Sequence, residues 1–196
     1  MGETERSLEL DWIHLPPGTE PQSLWTCLHD AELQSVRSDT LERSLDLAFE
    51  VSYLRTHHHL PDDLLFQFRF TGVTSVRVTT FVHWPGPRPD KEGKSNEEQS
   101  YLVRECQSKG REESVNWDRF EANLKQSSLL VYDADLASGV RGSSLRLEGN
   151  WDDEYWYTIF IPSHELSVHR SDGAPFSLTE LQRLGEDYWN HFAGRR

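Results

Sequence analysis

The stretch Ser44-Leu45-Asp46-Leu47-Ala48-Phe49-Glu50-Val51-Ser52-Tyr53 decides the fold. Leu45, Leu47, Phe49, Val51 and Tyr53 fall on one face of an extended chain, with Ser44, Asp46, Glu50 and Ser52 on the other. That is the period of a half-buried strand; a helix would scatter the apolar set around its axis. Leu64 to Phe70 repeats the pattern, setting Leu64, Phe66, Phe68 and Phe70 against Gln67 and Arg69. Val73 to Trp84 aligns Val76, Val78, Thr80 and Val82 and is rich in the β-branched residues that suit a pleated surface. Thr71-Gly72 then reads as a tight hairpin turn between the second and third strands. Thr56 to Asp63, polar and containing Pro61-Asp62, reads as a surface loop. The region from Leu28 to Trp84 is therefore expected to be a β-meander.

Outward from this region, Ser7 to Leu15 is expected to form a leading strand. Glu32 to Ser38 should be a strand with either a bulge or a helical turn, because Leu33 and Val36 do not alternate. Pro85 to Ser100 has three prolines and no apolar anchor, and is expected to be a mobile loop at 85–100, an insertion or a functional flap. Tyr101 to Cys106 is open between strand and helix, and Gln107 to Glu113 reads as exposed loop. Ser114 or Asn116 offers an N-cap to a short helix with Trp117, Phe120 and Leu124 at helical spacing.

Strands return at Ser128 to Tyr132, Ser144 to Leu147, Tyr155 to Ile161 and Leu166 to Val168, with turns at 139–142 and at Gly149-Asn150. Tyr155 to Ile161 is apolar or aromatic on both faces, the mark of a central strand covered on both sides. Its expected cover is a C-terminal helix. Ser177-Leu178-Thr179-Glu180 is a capping box, Phe176 and Leu181 could form a hydrophobic staple, and Leu178, Leu181, Leu184, Tyr188 and Phe192 form an apolar stripe. The expected fold class is α+β: a largely antiparallel, curved or two-part β-sheet with a C-terminal amphipathic helix and one shorter helix.

The chain has 196 residues, enough for a single domain with a core that needs no staples. Nine Phe, seven Trp and six Tyr argue against disorder. Against 33 acidic residues stand 20 Lys and Arg, a formal charge of -13. Such a surface repels phosphate backbones, so nucleic acid is excluded as a partner and a basic protein is the electrostatic complement. No stretch approaches the ~20 apolar residues of a membrane span. The first residues lack the basic and apolar regions of a signal peptide, and the expected location is cytoplasmic. Cys27 and Cys106 lack metal-site spacing and are expected to be reduced, a disulfide requiring Cα atoms within about 7 Å.

His57-His58-His59 is the most conspicuous polar cluster. Extended, it would point His57 and His59 to one side, with His83, Asp62 or Asp63 completing a metal shell; a solvated loop is the commoner reading of such a run. His164 and His169 are five apart, diverging by about 140° on a helix, which excludes the zincin pattern. His29-Asp30 is read as structural, His29 bonding across a turn and Asp30 accepting backbone hydrogen bonds. Asp152 and Asp153 beside Trp151 and Trp156 would suit a sugar or small molecule, although an acidic turn beside a buried aromatic strand is the commoner arrangement. With no P-loop, dinucleotide fingerprint or nucleophile elbow, no catalytic residue and no cofactor are assigned.

The run Leu28-His29-Asp30-Ala31-Glu32-Leu33-Gln34-Ser35-Val36, followed by the alternating segment Leu45 to Tyr53, resembles a pattern in small acidic bacterial β-rich proteins. Some of these are classed as immunity proteins of polymorphic toxin systems, and others have no known function. The resemblance covers Trp25 to Val82 and implies a non-enzymatic protein that neutralises a basic toxin by covering its active site. The alternatives from the residues are a metal-dependent hydrolase using the His/Asp cluster and a small-molecule or sugar-binding module. The partner's identity and the oligomeric state are not encoded in any motif.

Overall fold

The computed structural model describes residues 21–73, 75–82, 111–126, 128–139, 142–151 and 155–194, with residues 81–82, 111–113, 151 and 155–156 described by backbone alone. The elements in chain order are β1 (Gln22–Ser23), α1 (Trp25–Leu28), β2 (Glu32–Asp39), β3 (Ser44–Glu50), α2 (Ser52–His57), β4 (Phe66–Thr71), β5 (Arg77–Val82), β6 (Arg111–Ser114), α3 (Trp117–Leu124), β7 (Leu129–Gly139), β8 (Gly142–Trp151), β9 (Tyr155–Ser163), β10 (Glu165–Arg170) and α4 (Leu178–Ala193). The fold is α+β and mostly β. Its antiparallel sheet runs β10-β4-β3-β2-β7-β8-β9-β5-β6, with β1 paired to β7 off this path.

The sheet cannot be flat. Only His164 separates β9 from β10, yet in the sheet order the two strands stand six steps apart. Six steps of ~4.8 Å would span roughly 29 Å, whereas two successive Cα steps of ~3.8 Å reach less than about 8 Å. The sheet therefore curls until its two halves face each other. Phe66, Phe68 and Phe70 of β4 and Leu145, Leu147, Ile159 and Ile161 of β8 and β9 are all buried in one core. β2 and β7 share only the pairs Glu32–Leu130 and Leu33–Leu129, which lets the sheet fold between its halves.

The alternation in the deciding stretch produces β3, where Leu45, Leu47 and Phe49 are buried. β2, β3 and β4 form a meander, but the expected one is met only in part, since the third alternating segment, β5, lies elsewhere in the sheet; β2 carries a bulge between Leu33 and Ser35. The alternation misleads at its end, however. Val51 becomes the N-cap of α2 and Tyr53 lies in that helix, so the expected loop from Thr56 begins as helix. Arg55, held by ion pairing to Glu50, and the Thr56 hydroxyl, donated to Ser52 O at 2.9 Å, stabilise the short helical turn.

The expected hairpin at Thr71-Gly72 does not form. β4 pairs with β3 and β10, whereas β5 pairs with β9 and β6. The backbone around Gly72 is already engaged: Thr71 O accepts from His164 N at 2.9 Å, and Val73 N donates to Arg43 O at 2.9 Å. Arg111 to Glu113 belong to β6 rather than to a loop. Gly149 and Asn150 lie within β8, opposite Val131 and Leu130, instead of forming a turn. At Gly149 the strands approach so closely that a Cβ would stand 2.6 Å from Leu130 O.

The helices differ from expectation in number and placement. Among the described residues three short helices, not one, precede α4. β9 is central, lying between β8 and β5, but its aromatic neighbour is α3, whose Phe120 ring lies 6.0 Å from that of Tyr157. Asn116 caps α3, its side chain accepting from Asp118 N at 2.8 Å. α4 instead packs on α1 and α2. Ser177 Oγ accepts from Glu180 N at 3.3 Å, while the Ser177 hydroxyl donates to the Glu180 carboxylate at 2.7 Å. Phe176 packs on Phe66, with centroids 5.4 Å apart. The expected leading strand at 7–15, the loop at 85–100, Tyr101 to Cys106 and the C-terminal arginines lie outside the described residues.

Candidate functional site

α1 has one turn: its Trp25 carbonyl accepts from His29 N at 3.0 Å, but Asp30 N turns away to Val131 O, so the Thr26 carbonyl is met by other elements. Thr26 O accepts from the Trp189 indole at 2.9 Å and from the Tyr53 hydroxyl at 3.2 Å, joining α4 and α2 to α1 at one atom. Burial is the main cause that pushes the Tyr53 phenol above its ordinary range, keeping it a neutral donor. Gly185 makes the contact possible, since a Cβ there would run into the same carbonyl.

This junction aligns a row of rings across the surface. Tyr132 meets His29 at 5.5 Å, His29 stacks on Trp25 at 4.7 Å, Trp25 meets Trp189 at 4.7 Å, and Trp189 meets Phe192 at 5.9 Å. Trp25, Tyr132 and Phe192 are 38%, 50% and 43% exposed, and Leu130, two residues before Tyr132, is 37% exposed. Scattered exposed apolar residues need no explanation; a contiguous aromatic row does. Tyr132 faces outward with Leu130 by the alternation of β7, and a bulge between Val131 and Asp133 interrupts the ladder beside it.

Carboxylates border the row. Asp30 adjoins His29, Glu186 and Asp187 precede Tyr188 and Trp189, and the Asp30 and Asp187 side chains are 60% and 61% exposed. Farther along β7 and β8, Arg146 bonds Asp135 at 2.9 Å and also pairs with Glu148. Burial is the leading cause holding the Glu148 carboxyl above its usual range, against the pull of Arg146.

At one end of the row lies a His/Asp cluster. His57 Nε2 is 3.3 Å from Asp187 Oδ2 and His58 Nδ1 is 3.9 Å from the same oxygen. The remaining ring nitrogen of His58, Nε2, lies 3.0 Å from Leu184 O. His191 follows Asp187 by one helical turn, with its ring centroid 5.0 Å from that of His57.

Of the residues singled out from sequence, His57 thus enters a cluster, but with His58 rather than His59. The run is the end of a helix, not an extended strand. His59 is exposed, with a φ of 52°. Leu60 N donates to Arg55 O at 2.9 Å, so His59 occupies the left-handed position that closes a helix. Asp62 and Asp63 are exposed and are not among the cluster's three grouped donors; His83, Asp152 and Asp153 lie outside the described residues. Trp151 and Trp156 stand on paired strands, opposite Tyr155 and Asn150, and their side chains are outside the described residues. His29 Nδ1 bonds Tyr132 O of the remote strand β7 at 2.8 Å rather than a group across its own turn, while Asp30 takes a φ of 59° and donates its own N–H to Val131 O. Cys27 is buried and free, and Cys106 lies outside the described residues.

The aromatic row was missed in sequence because its members come from α1, β7 and α4. Trp25 and His29 at four-residue spacing, and Trp189 beside the apolar stripe, were the available signals. Among the described residues no helix is long and apolar enough to cross a membrane. No protein-family model matches the chain, and no curated protein and no solved structure matches it.

Proposed function

We propose that this chain is a non-catalytic interaction protein whose aromatic row, bordered by carboxylates, binds a basic protein partner. The observation that carries this reading is the continuity of Tyr132, His29, Trp25, Trp189 and Phe192, with exposed large rings at both ends and in the middle. Interfaces draw their affinity from aromatic anchors in a desolvated centre. A partner presenting Lys or Arg gains cation–π contact with the rings and charge pairing with Asp30, Glu186 and Asp187. The formal charge of -13 steers such a partner toward the chain and away from nucleic acid.

Within this reading, the chain acts as an immunity-type inhibitor that blocks a basic toxin by occupying its active-site face. The charge and the residues at Leu28 to Val36 that resemble immunity proteins support that finer role. Affinity capture from a lysate of the source organism, at low and high salt and with mass-spectrometric identification, tests it. The expected result is one basic protein, released by salt, whose activity falls at equimolar addition of this chain. Capture of an acidic protein, or undiminished activity of the partner, would refute it.

A further inference from the structure

We propose that His57, His58 and Asp187, with His191 as fourth donor, bind a first-row divalent metal ion of the zinc type, linking α2 to α4. One ring nitrogen each of His57 and His58 and a carboxylate oxygen of Asp187 all lie within 4.8 Å of one another. Donors held by a tetrahedral zinc at ~2.0–2.1 Å are separated by about 3.3 Å. The His57–Asp187 separation of 3.3 Å already has this value, and the His58–Asp187 separation of 3.9 Å exceeds it by little.

The outer contact of His58 provides the second argument. Leu184 O can only accept, so the contact at 3.0 Å places the hydrogen of His58 on Nε2. Nδ1, 3.9 Å from the Asp187 carboxylate, is then the ring nitrogen turned toward the cluster. Histidine ligands of metals characteristically donate their other ring N–H to a carbonyl or carboxylate, which fixes the tautomer and the ring orientation. Leu184 O supplies that outer partner here.

Topology provides the third. His57 and His58 close α2, whereas Asp187 and His191, four residues apart, share one face of α4. The His57 and His191 rings are adjacent at 5.0 Å, which makes His191 the neighbouring side chain assigned the fourth position. Imidazole and carboxylate donors suit zinc and its neighbours over calcium or magnesium, which prefer all-oxygen shells. The ion would fasten the helix that carries Trp189 and Phe192, although its binding does not require the partner role proposed above.

The test is calorimetric titration of the chelator-stripped full chain with Zn²⁺ alone, accompanied by thermal melts and by Co²⁺ absorption as a report of tetrahedral coordination. One equivalent should bind and raise the melting temperature. Loss of outer partners alone costs about 10–100-fold in metal affinity, and Asp187→Asn, which removes a direct donor, is expected to cost at least as much. His191→Ala should weaken binding less, and His59→Ala should leave it unchanged. Because Asp187 is exposed, Asp187→Asn separates loss of the metal site from loss of folding. Absence of saturable Zn²⁺ binding, or native-like affinity in Asp187→Asn, would overturn the proposal.

Discussion

The indole Nε1 of Trp189 donates to the carbonyl oxygen of Thr26 at 2.9 Å, so the last helix is tied to the first through an atom that α1 cannot satisfy itself. Tyr53 donates to the same oxygen at 3.2 Å. A net hydrogen bond contributes about 1 kcal/mol, while a buried carbonyl stripped of every partner costs about 1–3 kcal/mol. Trp189→Phe and Tyr53→Phe should each be modest, and the double variant should lose more stability than their sum. Urea unfolding in a double-mutant cycle measures this; strict additivity would show that the shared carbonyl does not couple them.

Gly185 stands where α4 crosses Thr26, and a Cβ there would clash with backbone rather than with a flexible side chain. Gly185→Ala gains about 1 kcal/mol of helix propensity, but overpacking costs typically about 1–3 kcal/mol. The expected net effect is destabilisation with reduced burial of Trp189, read by unfolding and indole fluorescence. A stabilised variant would contradict the close crossing.

His59 is expected to respond in the opposite sense. Its φ of 52° places a β-carbon in the left-handed region, which costs a non-glycine residue about 1–2 kcal/mol. His59→Gly should stabilise the protein by up to about 1 kcal/mol, as read from the urea midpoint. Destabilisation would indicate that the imidazole itself makes an essential contact.

Burial pushes the Cys27 thiol from an ordinary 9.0 up to about 12. In a Cys106→Ser background, native protein should resist thiol reagents at pH 8 and react once unfolded. The linkage sign follows from the raised value: the contribution of Cys27 to stability is fully present below 9.0 and is lost as pH rises toward about 12. Tyr53 adds a similar loss only above its ordinary 10.0. Cys27→Ala should therefore flatten the stability profile between pH 9 and 10, and an unchanged slope would count against a buried thiol.

Phe68 tests the curled sheet. It is fully buried on β4, with its ring 5.1 Å from Phe49. Phe68→Ala should cost about 3–5 kcal/mol, and Phe68→Asp, burying an unpaired charge, should abolish cooperative melting.

Local alternation made β3 and β4 legible, because Leu45, Leu47, Phe66 and Phe68 need only one partly polar face to declare themselves. The same signal extended one element too far. Val51 and Tyr53 keep the period of two, yet they sit at the cap and inside α2, where Arg55 reaches back to Glu50. The pairing of β5 was hidden for a different reason: its partners β9 and β6 are remote, and the residues that divert the chain at Gly72 come from positions 43 and 164. Capping was readable at Ser177, and at Asn116 as one of two candidates with Ser114, because a cap is decided within four residues. The His57–His58–Asp187 grouping and the aromatic row were not, since α4 supplies part of each from more than a hundred positions away.

The central claim is that the ring row from Tyr132 to Phe192 holds a basic partner. It is tested most directly by parallel affinity capture, at low salt, with the native chain and with a folded Trp25→Ala/Tyr132→Ala/Phe192→Ala variant. Retention of a basic protein by the native chain and its loss from the variant is the expected result. Equal retention by both would contradict the assignment of this face.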